Sequence, residues 1–219
     1  MYPIVSCCKD SIDMAFKKID VGIANNPQRL DLHFGRVHVM KELANVPAVS
    51  VCGNSASNSW DNKPTLSDVV DYLCKLIDTP EHTKWKWSND EPVEDSENFF
   101  FDNMQSYFSE IISDESADIS LAEKFIDKLL TKKQTLEFRS DKASLFAAKK
   151  EYDKALDSFL SILKDYPDDD IVINNIASCY EHKGDVKNAI TYYKKLEKSK
   201  NKHVSQYAKD AIKDLKSKK

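Results

Sequence analysis

The last third of the chain repeats itself at a fixed step. Ala143 and Ala177 stand 34 residues apart, and so do Ala155 and Ala189. In the same register Phe146 falls on Tyr180, Leu156 on Ile190, Phe159 on Tyr193 and Ile162 on Leu196. A repeat of this length is one supersecondary unit that cannot bury its apolar face alone, so successive copies must stack. Within each copy apolar residues recur at three- and four-residue steps, which predicts amphipathic helices. Tyr166-Pro167-Asp168 ends one helix, because proline cannot continue it. Gly184-Asp185 ends another with a residue free to adopt a left-handed backbone. Each copy therefore reads as two helices, with small residues where they approach most closely and aromatics between neighbouring pairs.

Upstream the pattern is weaker. Ala15, Phe16, Ile19, Gly22 and Ile23 mark a helix that runs into Asn25-Asn26-Pro27. Leu30, Phe34, Val37 and Met40 mark the next, with Gly35 in its small-residue slot; an alternating strand over Leu30, Leu32 and Phe34 competes with it. Residues 44–64 are rich in Asn, Ser, Pro and Gly and predict a loop or insertion. Thr65 with Asp68 approximates a capping box ahead of a helix ending near Thr79-Pro80. The run from Phe99 to Ile112 predicts a helix paired with another over Ile119 to Lys133. Tyr207, Ala208, Ala211, Ile212 and Leu215 form a last apolar stripe on a lysine-rich helix that would cap the stack.

The order of small residue, aromatic, turn, Ala, aromatic and Pro resembles the tetratricopeptide repeat family. Asn175-Ile176-Ala177, Tyr180, Gly184-Asp185, Ala189-Ile190 and Tyr192-Tyr193 carry the resemblance most closely. Lys142 departs from the family's Leu, Lys150 from its turn glycine and Asn201 from its closing proline. The resemblance implies an all-α fold: an α-α superhelix, a right-handed solenoid of antiparallel helix hairpins with a C-terminal capping helix. The expected organisation is a degenerate helical region over 1–135, two well-matched repeats over 136–203, and the lysine-rich cap over 204–219. It also implies a concave groove lined by the first helix of each pair. The groove-facing set here is Glu137, Ser140, Asp141, Ser144 and Ala148, then Ile171, Asn174, Asn175, Ser178 and His182. Of the residues with which one subtype grips a chaperone's terminal carboxylate, only Asn175 is matched, so that ligand is not expected.

Chemistry leaves few marks. Four glycines in the whole chain leave no room for a phosphate-cradling loop. The five histidines have no metal-ligand spacing, and the five cysteines form no CxxC or Cys/His pattern, so no cofactor, metal or catalytic residue is expected. The net charge of −4 is unevenly spread: Glu81 to Asp118 holds eleven acidic residues and two lysines, whereas Lys195 to Lys219 holds nine lysines and three acids. The basic tail lacks aromatic residues arranged for stacking, which argues against a nucleic-acid partner. No stretch is long and apolar enough to span a membrane.

A non-enzymatic module that holds a protein or peptide is therefore the expected function. The alternative is a structural subunit packed permanently in a larger, envelope-associated assembly. Trp85 and Trp87, beside the acidic stretch, form an alternative hot spot, unless both pack against the Phe99-Phe100 helix. Cysteine usage points to the cytoplasm, while Ile4-Val5-Ser6-Cys7 resembles a lipoprotein box that would anchor the chain at Cys7 if a longer N-terminus preceded it.

Overall fold

The computed structural model describes residues 9–45, 63–79, 85–88, 93–113 and 118–217. Cys7, Cys8, Cys52 and all of the 44–64 segment except Ala44, Asn45, Lys63 and Pro64 lie outside these ranges. The described residues form ten α-helices: α1 (Lys9–Asn25), α2 (Leu30–Asn45), α3 (Leu66–Asp78), α4 (Ser96–Ile112), α5 (Ile119–Leu130), α6 (Leu136–Ala148), α7 (Tyr152–Asp165), α8 (Asp170–His182), α9 (Val186–Leu196) and α10 (Lys202–Ser217). The chain divides into two compact units, Met1–Leu121 and Ala122–Lys219.

In the N-terminal unit α2 packs against both α1 and α3. Leu30 and Phe34 are buried in α2, so the helical period prevails there over the strand alternation. The rotation that buries Leu30, His33, Phe34, Val37 and Met40 turns Gly35 outward, where an added Cβ would meet nothing within 4 Å. Gly35 is thus not a close-packing position. Gly22 is nearer to one, since a Cβ there would sit 3.4 Å from the Leu32 side chain. Thr65 caps α3 reciprocally: its hydroxyl oxygen accepts from the Asp68 N–H at 3.2 Å, and the Asp68 carboxylate accepts from the Thr65 N–H at 2.7 Å. Asp95, from the acidic stretch, caps α4. The unit boundary falls inside the pair expected of α4 and α5, with α4 in the first unit and most of α5 in the second.

The C-terminal unit is built of stacked hairpins, α6–α7 and α8–α9, followed by α10. Ala143, Ala155, Ala177 and Ala189 are all fully buried, as close helix approach demands. Two apolar clusters meet on α8. Val172, Ile176 and Cys179 face Ala155, Leu156, Phe159 and Ile162 of α7. Ile173 and Ala177 face Ala189, Tyr193 and Leu196 of α9 together with Ala208, Ile212 and Leu215 of α10. One helix therefore serves as a wall for two cores, which is how a stack of hairpins buries faces that a single hairpin cannot.

The turns repeat as faithfully as the cores. The Glu151 N–H donates to Phe146 O and the Asp185 N–H to Tyr180 O, both at 2.9 Å. Each bond closes a first helix by the six-to-one pattern that needs a left-handed residue. Lys150 (φ 61°) and Gly184 (φ 77°) supply it.

Candidate functional site: the α6 and α8 faces

Helical spacing sets the site. Ser140, Ser144 and Ala148 on α6, and Asn174, Ser178 and His182 on α8, recur every four residues on one side of each helix, away from the buried residues. The two helices lie against each other directly. Glu137, Ser144, Ala148 and His182 are exposed, Ser140, Asp141, Asn174, Asn175 and Ser178 are half-buried, and Ile171 stands 70% exposed at the start of α8. Tyr152 stacks on the His182 ring with centroids 5.4 Å apart and planes 4° from parallel, which holds the imidazole at the end of the row.

One polar atom in this row is out of place energetically. Asn174 Oδ1 is buried and has no hydrogen-bond partner among the described residues. A buried amide oxygen without a donor costs about 1 to 3 kcal/mol. Around it the surface offers hydroxyls, a second carboxamide and an imidazole, a set suited to hydrogen bonding an extended backbone.

The tryptophans are placed by a short backbone bridge. The Lys86 N–H donates to Gln28 O at 2.9 Å, and Lys86 O accepts from the Leu30 N–H at 2.8 Å. An extended residue between them sends Trp85 and Trp87 to the same side, and both rings meet α2 and α4. Trp85 is 3% exposed, stacked on Phe100 at 5.7 Å and set perpendicular to the His33 ring at 5.3 Å, so it belongs to the core and presents no surface ring. Trp87 touches Phe34 and Phe99 and keeps 41% exposure.

Titration shifts trace to architecture. Asp68 is lowered by the Thr65 cap. Glu123 is lowered by hydrogen bonds from Lys142 and then Lys149. Burial pushes the Cys179 thiol up, away from a reactive thiolate. No group of His, Cys, Asp and Glu able to hold a metal occurs among the described residues, and none of their helices is long and apolar enough to cross a membrane.

The α6 and α8 residues were expected from the family resemblance, whereas the contacts of Lys142 were not foreseen. Its ammonium reaches Glu123 at 2.9 Å and Asp127 at 2.8 Å on α5, while Lys149 reaches Glu123 at 3.0 Å. A lysine where the resembling family carries leucine was the available signal, since a charge at an apolar position calls for a partner.

A family model for the tetratricopeptide repeat matches residues 142–169 and 175–199. No curated protein matches the chain. The matched residues cover most of both hairpins, including the turns at Lys150 and Gly184, so this part of the chain carries tetratricopeptide repeats.

Proposed function

We propose that the C-terminal unit is a protein-interaction module that holds an extended segment of a partner along α6 and α8. Tetratricopeptide arrays present such surfaces for binding rather than catalysis. The supporting observation is Asn174, whose buried oxygen has no hydrogen-bond partner among the described residues and would accept a ligand N–H once its side chain turns outward. Ser178 and Asn175 extend the polar row, and Ile171 offers an apolar contact at its edge. The permanent-subunit reading has no comparable observation behind it.

The proposal separates binding from stability. Replacing Asn174 and Asn175 by Ala removes an unsatisfied buried oxygen, so the unfolding midpoint should hold or rise slightly. Peptides selected from a random display library on the full-length protein should bind the double variant about tenfold or more weakly, a loss of about 1.4 kcal/mol. Equal binding by both proteins, or binding lost only in step with stability, would retire the reading.

A further inference from the structure

A second polar surface lies in the C-terminal unit and shares no residue with the α6–α8 row. A cleft of about 960 Å³ opens between the turn after α7 and the C-terminal half of α9 with the turn that follows it. Lys194, Lys195, Lys198 and Lys200 line it together with Asp168 and Glu197. None of these six makes an ion pair among the described residues. Lys195 instead rests over the Tyr192 ring at 4.7 Å. The walls are fixed by Ser199, whose hydroxyl donates to the Asp170 carboxylate at the start of α8 and accepts the Asn201 N–H at 3.0 Å, tying one turn to the other.

Charges of both signs in one cleft, left apart from each other, stay available to a guest. The sign pattern selects the guest. A polyphosphate or an anionic lipid surface offers acceptors only: it satisfies the lysines and is repelled by Asp168 and Glu197. A uniformly basic chain meets the opposite conflict. A peptide with acidic side chains brings carboxylates for the ammonium groups and backbone N–H donors for the two carboxylates. From this complementarity we infer that the cleft docks an acidic peptide segment of a partner protein. The reading is independent of the one for α6 and α8.

The test is fluorescence anisotropy of the full-length protein with a labelled peptide of alternating Glu and Gly. Saturable binding is expected, weakened about tenfold by Lys194→Glu with Lys198→Glu and by about half that factor by the milder Lys194→Gln with Lys198→Gln. The Asn174→Ala, Asn175→Ala variant should bind this peptide as the wild type does, which keeps the two surfaces distinguishable. A Gln-Gly peptide should bind about tenfold more weakly, and neither an oligothymidylate nor phosphatidylserine vesicles should displace the Glu-Gly peptide efficiently. No saturable binding, indifference to the lysine substitutions, or stronger binding of the nucleic acid or the vesicles would overturn the proposal.

Discussion

Lys150 holds a left-handed backbone (φ 61°) that its counterpart Gly184 adopts without a Cβ penalty. That conformation costs a side-chain-bearing residue about 1 to 2 kcal/mol, part of which glycine returns through its larger unfolded entropy. Lys150→Gly should therefore stabilise the protein by about 0.5 to 1 kcal/mol, and Gly184→Ala should destabilise it by about 1 kcal/mol, read from urea midpoints by circular dichroism. The sequence showed Lys150 in a glycine's place; only the backbone shows that it kept the glycine's geometry. His33 was less legible, because nothing local marks its partners. Its Nε2 lies 2.9 Å from Pro27 O, which can only accept, so Nε2 carries the proton and Nδ1 accepts from the Tyr72 hydroxyl at 2.7 Å. Burial pushes Tyr72 up to about 12, which keeps that hydroxyl protonated. Burial also lowers the His33 pKa, so the folded state favours neutral imidazole. As pH falls below about 6.5 the unfolded chain takes up a proton first and stability drops. A Trp-fluorescence melt should shift down between pH 7 and pH 5, and His33→Gln should flatten that part of the dependence.

Between helices, the join of α5 to α6 is electrostatic where an apolar contact is usual. Burial disfavours the Lys142 ammonium, yet hydrogen bonds to Asp127 and Glu123 outweigh it and raise its pKa. Its ammonium also lies 5.0 Å from the Phe146 ring. Lys142→Glu would set three carboxylates together and should cost about 2 kcal/mol, whereas Lys142→Met, which fills the space with apolar atoms, should change stability by less than about 1 kcal/mol. Thermal melts followed at 222 nm distinguish the two. At this scale the sequence spoke clearly where helices are amphipathic and repeat in register, as in α6 to α9. It misled where one helix serves an irregular core: Gly35 looked like a contact position until the burial of His33 turned it outward. The α6 and α8 rows could be written down from the family resemblance, but the unpartnered oxygen of Asn174 depends on how neighbouring side chains settle, and no pattern of residue types encodes that.

Across the whole molecule the optical reporters are unevenly placed. The described tryptophans, Trp85 and Trp87, belong to the first unit, while helical signal comes from both. Each unit has its own core, so Ala189→Phe, which overpacks the second by about 1 to 3 kcal/mol, should lower part of the circular-dichroism transition and leave the tryptophan transition in place. If both transitions move together, the units unfold as one cooperative body. The wall helix α8 carries a further consequence. It meets the hairpin before it with one face and the helices after it with another, and α7 and α9 present matching positions to whatever follows. The seam is interchangeable, so a duplicated copy of residues 170–203 spliced after residue 203 would find ready-made surfaces on both sides. Such a lengthened chain should fold with proportionately more helix and a higher melting temperature, which makes this array extensible by the same step through which repeats of its kind multiply.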